Sequence, residues 1–227
     1  MLSCVRLLQA AMLSLPMFAG YANAAEPWSG AYVGFHNGGA WGDSDWTLSN
    51  GSSASPNPDA GALFGGHAGI LGQWGVLVAG VEVSYSGLPN VDGNTWCPAG
   101  TASCRTEIEN LLLLNGRLGF ELGRAMLYGT GGWARSTVNV TRTAAVAAQD
   151  DGHLSGWDIG GGIEFIMWPN VVFGVEYLHV DYDDGGFGLA NGGVLVENIS
   201  VEPDLDVVRA RFTVQLNRER EVPAYLK

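Results

Sequence analysis

The sequence predicts an all-β fold, an eight-stranded antiparallel up-and-down transmembrane β-barrel, and three observations support this prediction. Eight segments alternate apolar with polar residues, their connections alternate short with long, and the N-terminus has the pattern of an export signal. Period-2 alternation places successive side chains on opposite faces of a strand. Each segment is long enough for a bilayer, which a tilted strand crosses in about 9 to 11 residues.

Residues 1–24 are the first predicted element, a secretory signal peptide. Arg6 precedes an apolar run at residues 7–18, and Ala22 and Ala24 form a small-residue cleavage site. We expect the barrel domain to cover residues 25–217 and a short periplasmic tail to cover residues 218–227. A buried N-terminal helix is the alternative for the first segment.

The composition argues against nucleic-acid binding, a typical soluble domain and a helical membrane span. The net charge of −12 argues against nucleic-acid binding, since attraction to phosphates requires a basic face. Charged residues make up only 15% of the chain, where about a quarter is usual for a soluble domain. No run of about 20 apolar residues follows the N-terminal segment, so a helical membrane span is not expected.

The eight strands follow the alternation in chain order. In the first strand, for example, Val33 and Phe35 share one face while Tyr32 and His36 share the other. The strands are predicted at residues 30–42, 62–72, 76–86, 107–121, 125–136, 155–168, 171–182 and 206–217.

The connections distinguish the two ends of the barrel. Short connections occur at residues 72–75, 122–124 and 169–170, and long polar ones at 43–61, 87–106, 137–154 and 183–205. In barrels of the bacterial outer membrane, short turns are periplasmic and long loops are extracellular. Cys97 and Cys104 lie in the second long loop, where an exported chain is expected to form a disulfide. Free thiols or a metal pair are the alternatives, although the spacing is wrong for zinc and no histidine is near.

Each strand has one apolar face and one face that carries charge. Lipid solvates the outside of a membrane barrel, so the charged face is expected to point into the lumen. A lone charge in a narrow lumen would cost several kcal/mol, which makes pairing nearly obligatory. The sequence therefore predicts a lumen ion-pair network, with partners not specified, of Glu82, Arg117, Glu164, Glu176, Arg209 and Arg211.

Aromatic residues cluster near strand ends, which is typical of girdles at the two membrane interfaces. Core packing is the alternative for some of them. The predicted girdle residues are Trp28, Trp41, Trp74, Tyr85, Tyr128, Trp133, Trp157, Trp168 and Tyr182.

Several blocks in this order resemble the alphaproteobacterial small outer-membrane proteins, porin-like and OmpA-type eight-stranded barrels. The blocks include "WSGAYVGFHNGGAWG", "NGRLGFELGRAMLYGTGGWA" and "VVRARFTVQL". The resemblance implies the outer membrane of a Gram-negative bacterium, contact with lipids and lipopolysaccharide, insertion by the barrel-assembly machinery, and a role in envelope integrity. It also implies a final strand that ends the chain on an aromatic residue. Here Leu216 stands at that place and a tail follows.

Other motifs have simpler interpretations. His153 and Ser155 have the spacing of a lipid A deacylase dyad, but Gly156 stands where that family has asparagine. His179, Asp181 and Asp183 could gather a cation, although a hydrated acidic loop is the preferred interpretation. His36 and His67 are interpreted as lumen or girdle residues rather than haem ligands.

The sequence thus predicts a structural and surface-interaction barrel that is not an enzyme. We expect no catalytic residue, no metal and no cofactor, with extracellular ligands possible at the loops. A narrow, low-conductance porin is the main alternative. A lipid A-modifying enzyme and a haem-binding surface protein are further alternatives.

Overall fold

The computed structural model describes residues 26–48, 51–97, 103–143, 148–191 and 194–216. The predicted signal peptide, the tail and both predicted ends of the barrel domain lie outside these residues. Thirteen strands make up most of the described chain. They are β1 (Gly30–Trp41), β2 (Ser44–Leu48), β3 (Ser53–Ala54), β4 (Gly61–Trp74), β5 (Leu77–Gly87), β6 (Asp92–Trp96), β7 (Ser103–Ile108), β8 (Asn110–Leu122), β9 (Ala125–Thr143), β10 (Ala148–Trp168), β11 (Val171–Tyr182), β12 (Gly185–Asn191) and β13 (Val194–Gln215).

Eight of the described strands pair antiparallel in a closed ring. The order is β1, β4, β5, β8, β9, β10, β11 and β13, and β13 pairs back onto β1. Closure is visible at His36, which stands opposite Gly65 on β4 and opposite Arg211 on β13. Among the described residues, no helix is long and apolar enough to cross a membrane. The prediction of an all-β antiparallel up-and-down barrel is confirmed.

Five shorter strands extend the ring beyond the predicted eight, because segments predicted as loops continue the strand pairing. Strand β2 pairs with β13 and β3, β6 pairs with β7, β7 pairs with β9, and β12 pairs with β13 and β10. Strands β9, β10 and β13 are accordingly 19, 21 and 22 residues long. We call the end of the barrel with the long connections the loop end and the opposite end the turn end. At the loop end these strands form a β-structured extension of the barrel.

The strand predicted at residues 107–121 is interrupted near Glu109. Ile108 stands opposite Val138, and Leu112 stands opposite Arg135. The chain therefore advances four residues from Ile108 to Leu112 but only three residues from Val138 to Arg135 on β9. One extra residue is a β-bulge, and it moves the side chains that precede it to the opposite face. Ile108 is consequently buried and Glu109 exposed. Unbroken alternation over residues 107–121 predicts the reverse, with Ile108 on the outer apolar face beside Leu112 and Glu109 on the inner face beside Arg117.

Turns close the other end of the barrel. They lie at residues 75–76, 123–124 and 169–170, inside or beside the three predicted short connections. Gly75 and Gly123 have φ angles of 62° and 73°, a region where residues with a Cβ atom are strained. The tight turns at this end therefore rest on glycine at two of their positions.

Glycine also allows neighbouring strands to approach closely. A Cβ atom on Gly80 would lie 2.0 Å from the carbonyl oxygen of Ile70 on β4. A Cβ atom on Gly116 would lie 3.8 Å from the carbonyl oxygen of Gly131, which is an ordinary contact. Part of the high glycine content thus reflects backbone contact between strands rather than a general need for flexibility.

The outer surface carries an apolar band suited to lipid. Exposed large apolar side chains of the ring strands include Val33, Phe35, Ile70, Val81, Leu114, Leu118, Ile159, Phe173 and Val175. Six of the predicted girdle residues are also exposed, namely Trp41, Trp74, Tyr85, Trp133, Trp157 and Trp168. The girdle prediction was wrong for Trp28, Tyr128 and Tyr182, which are buried and pack inside the barrel.

The lumen is filled by three layers of side chains. An apolar cluster at the turn end contains Trp28, Met126, Ile166 and Val172 among its members. A larger apolar cluster at the loop end is built from both ring strands and the extension. Along the ring strands, the buried charged side chains, such as Glu82, Arg117 and Arg209, lie between the residues of these two clusters. Because eight strands leave an interior only wide enough for side chains, this layering occupies the lumen along its length.

Candidate functional site

The charged layer of the lumen is the candidate site. It is formed by Glu82 on β5, Arg117 on β8, Glu164 on β10, Glu176 on β11, and Arg209 and Arg211 on β13. Side chains alternate between the two faces of a strand, and these six positions all fall on the face that points into the lumen. Each of the six residues is at most 4% exposed. The structure brings all six predicted network residues together, and the contacts below give their partners.

Glu82 contacts all three arginines. Its carboxylate accepts a hydrogen bond from Arg117 Nη1 at 3.2 Å, and Arg209 Nη2 lies 3.7 Å away. Arg211 donates through both terminal nitrogens, with Nη1 at 2.8 Å from Oε1 and Nη2 on Oε2. This two-pronged contact is the strongest geometry available to an arginine and a carboxylate.

Glu164 and Glu176 complete the pairing. Glu164 Oε1 lies 2.8 Å from Arg117 Nη2 and 3.2 Å from Arg211 Nε. Glu176 Oε2 lies 2.5 Å from Arg209 Nε and 3.0 Å from Arg211 Nη1. Every carboxylate of the layer therefore contacts at least two arginines, and the formal charges of the six residues cancel.

Two tyrosines that the sequence analysis did not assign to the network complete this layer. Tyr32 donates its hydroxyl to Glu82 Oε2 at 2.8 Å, and Tyr128 donates to Glu176 Oε1 at 2.9 Å. The guanidinium of Arg117 stacks 3.9 Å above the centre of the Tyr128 ring, a cation–π contact. The alternation of residues could have identified Tyr32 as a lumen residue, because it shares a strand face with His36. Tyr128 was instead assigned to the aromatic girdle.

A histidine pair lies beside the charged layer. His36 Nδ1 and His67 Nδ1 are 3.3 Å apart, and their rings are stacked with centres separated by 5.5 Å. The second nitrogens lie 2.8 Å from Ser86 Oγ and 2.8 Å from Thr213 Oγ1 respectively. All four ring nitrogens thus have a protein partner, which leaves none free to bind haem iron.

The comparisons with known proteins decide the family. The family model described as outer membrane protein beta-barrel domain matches residues 10–201. The chain belongs to this family. The protein is accordingly located in the outer membrane of a Gram-negative bacterium, where lipid and lipopolysaccharide surround the apolar band. The turn end is periplasmic and the loop end extracellular, as in other barrels of this membrane.

Two relatives from alphaproteobacteria extend the match. The 22 kDa outer membrane protein of Rhizobium leguminosarum is 28% identical over 168 residues, which cover 72% of this chain and 71% of that protein. The 25 kDa outer-membrane immunogenic protein of Brucella abortus is 27% identical over 172 residues, covering 75% and 72%. Among solved structures, outer membrane protein OprG from Pseudomonas aeruginosa covers 83% of this chain and 97% of its own, with a TM-score of 0.51 and 12% identity. OprG therefore shows similarity of fold alone.

The extracellular extension of this outer-membrane barrel carries the disulfide. Cys97 and Cys104 are bonded, with Cα atoms 5.4 Å apart, and they join the end of β6 to the start of β7. Both cysteines are buried in the apolar cluster of the loop end. Trp96, next to the bond, is 74% exposed.

The remaining candidate motifs lie on the outside of the barrel. His153 Nδ1 lies 3.2 Å from Thr137 Oγ1, and Ser155 follows on the same face of β10. His179 Nδ1 lies 3.0 Å from Asp206 Oδ1, a partner on β13 that the local motif did not suggest. Within the described residues, no group of three or more histidine, cysteine or acidic side chains is arranged to hold a metal ion.

Proposed function

We propose that the protein is a non-enzymatic structural barrel with a role in envelope integrity, whose lumen does not conduct and whose extracellular loops contact other molecules. The observation that carries the proposal is the layering of the lumen. A neutral ion-pair layer is enclosed between two apolar clusters, one at each end. Porins, in contrast, keep a polar interior filled with water.

The charged side chains support closure because they bond each other. An ion crossing the lumen would have to exchange its hydration shell for groups that attract it. Here the carboxylates already contact arginines at 2.5–3.2 Å. Passage would therefore require breaking buried ion pairs as well as displacing the apolar clusters.

The extracellular end supports a role in surface interaction. Its β-structured extension presents exposed carboxylates at Asp45, Asp59, Asp151, Asp183 and Asp184. The disulfide-linked hairpin of the same extension also presents an exposed tryptophan, Trp96. The Brucella abortus relative is named an immunogenic outer-membrane protein, which favours loops accessible at the cell surface here too.

Other features support the absence of enzyme activity and haem binding. Within the described residues, the hydrogen-bond contact of the His153 side chain is with Thr137 Oγ1, and none joins it to Ser155. The buried histidine pair uses all of its ring nitrogens in contacts with the protein.

We propose insertion by the barrel-assembly machinery, since the closed ring has the architecture that this machinery inserts.

Conductance of the refolded mature chain, residues 25–227, in a planar bilayer tests the proposal. We expect no reproducible current steps from protein shown to be folded by its heat-dependent gel mobility. Steps whose size changes in Arg117→Leu would establish a narrow pore and overturn the closed-lumen proposal. Mass spectra of lipid A from producing cells should show unchanged acyl chains, and altered chains would establish an enzyme.

The envelope role requires a separate experiment in cells. We expect deletion of the gene to increase sensitivity to detergent, because a structural barrel contributes to the integrity of the membrane that contains it. The wild-type gene should restore resistance. Unchanged sensitivity of the deletion strain would contradict the envelope role while leaving the closed lumen intact.

A further inference from the structure

Asp158 is a buried carboxylate that the ion-pair network does not include. It points into the lumen from β10 and is 2% exposed. Asn115 Nδ2 on β8 donates to Asp158 Oδ2 at 2.6 Å and also lies 3.2 Å from Thr130 Oγ1. Among the described residues, no hydrogen-bond partner reaches the other oxygen of either side chain, Asp158 Oδ1 or Asn115 Oδ1. Two buried oxygen acceptors are therefore unsatisfied at one place.

Charge balance points to the same place. The three glutamates and three arginines of the network cancel, so ionised Asp158 would leave the lumen with one uncompensated negative charge. A buried charge without a partner costs several kcal/mol.

The charged and titratable neighbours of Asp158 do not supply that compensation. Arg209 on β13 and Glu176 on β11 act on it electrostatically, but they are bonded to each other at 2.5 Å. Tyr182 on β11 also acts on Asp158, and its hydroxyl is bonded to Ser136 Oγ on β9.

The local register brings the two side chains into contact. Gly132 on β9 stands opposite Asn115 on one side and opposite Asp158 on the other. Because glycine has no side chain, Asn115 and Asp158 meet across it. A Cβ atom on Gly132 would lie 2.1 Å from the carbonyl oxygen of Leu114 and 2.8 Å from Asn115 Oδ1. Glycine at this position therefore lets Asn115 and Asp158 contact each other, where a larger residue would clash with the backbone.

We propose that Asp158 and Asn115 form an internal binding site for one small monovalent cation, either a proton or an alkali ion such as Na⁺. Carboxylate and amide oxygens are ligands for hard cations. A proton on Asp158 would instead convert its unsatisfied carboxylate oxygen into a hydrogen-bond donor. In both cases one positive charge makes the lumen neutral, and this holds whether or not the barrel conducts.

The first arm of the test measures sodium binding. Refolded mature protein is unfolded in NaCl and in N-methylglucamine chloride at equal ionic strength and constant pH. If Na⁺ binds, the unfolding equilibrium constant of the wild type falls about elevenfold when Na⁺ is at ten times its dissociation constant. Asp158→Asn should lose this dependence. The matched control Asp206→Asn, which removes an outward-facing carboxylate, should retain it.

The second arm detects the proton. Infrared difference spectra at neutral pH without alkali ions compare the wild type with Asp158→Asn. A carbonyl stretch of a protonated carboxylic acid that disappears in the variant identifies a proton as the occupant. If Asp158→Asn does not fold, Asn115→Ala serves instead, because it keeps the carboxylate and removes one ligand oxygen. That variant should weaken the sodium response or shift the acid band. Absence of both the sodium response and the acid band in the wild type overturns the proposal.

Discussion

Replacing Arg117 with leucine should strongly destabilise the barrel. Arg117 lies 3.2 Å from Glu82 and 2.8 Å from Glu164, and it also bonds Tyr32 OH at 3.1 Å. Leucine fills part of the volume but provides no charge and no donor. The variant therefore leaves three buried glutamates facing two arginines, where the wild type has three of each.

The expected loss in the free energy of unfolding is about 3–5 kcal/mol, the usual result when one partner of a buried ion pair is removed. Glu82 keeps contacts with Arg211 and Arg209, and Glu164 keeps one with Arg211 at 3.2 Å. These remaining contacts place the loss toward the lower part of that range. Arg135→Leu is the matched control, since Arg135 is exposed and a surface change there should cost at most about 0.5 kcal/mol.

A double variant separates charge from packing. Arg117→Leu combined with Glu164→Leu restores the balance of charge, and an apolar pair can replace a buried ion pair at little cost. We therefore expect the double variant to be more stable than Arg117→Leu alone. Urea unfolding in lipid vesicles, followed by tryptophan fluorescence and gel mobility, gives the free energies for the cycle. The charge argument is refuted if the double variant is no more stable than Arg117→Leu.

Three further predictions concern other parts of the barrel. Gly80→Ala should lower stability while Gly116→Ala should not, because only the first Cβ atom meets a neighbouring backbone oxygen closely, at 2.0 Å against 3.8 Å; equal unfolding midpoints would contradict this. Val81→Arg should cost about 2–4 kcal/mol in bilayer unfolding, because Val81 faces outward and an arginine near the bilayer midplane is unfavourable; an unchanged free energy would mean that the position lies outside the hydrocarbon. Replacing Cys97 and Cys104 with serine should cost up to about 2–3 kcal/mol by the chain-entropy model and make the hairpin cleavable by protease, while the ring keeps its heat-dependent gel mobility. Equal cleavage of variant and wild type would show that the bond does not hold the hairpin.

Strand orientation could be predicted from the sequence wherever pairing is regular. In β13, Arg209 and Arg211 point inward and Val208 outward, as alternation alone indicates. The same rule fails at Ile108, because the bulge adds one residue that has no signature in the pattern of apolar and polar residues. The segments predicted as long loops contain further strands, because their polar composition conceals pairings such as that of β2 with β13.

The contacts of the site could not be predicted from the sequence. The alternation of side chains along each strand identifies which of them enter the lumen. Their partners depend on the register between strands that are far apart in the chain. Asp158 meets Asn115 only because Gly132 stands between them on β9. Tyr128 and Trp28 were misassigned for a related reason. An aromatic residue near a strand end suits either an interface or the mouth of a narrow lumen, and only packing distinguishes the two.

The contacts on which the proposed closure of the lumen rests also link the strands of the barrel. Glu82 joins β5 to β8 and β13, while Glu164 joins β10 to β8 and β13, so the network links strands across the lumen as well as around the ring. A change that opened a path for ions would have to remove these links, and it would weaken the barrel by the several kcal/mol that a broken buried pair costs. Under the closed-lumen proposal, the interior serves to hold the ring together. The contacts with other molecules that we propose then fall to the extracellular extension.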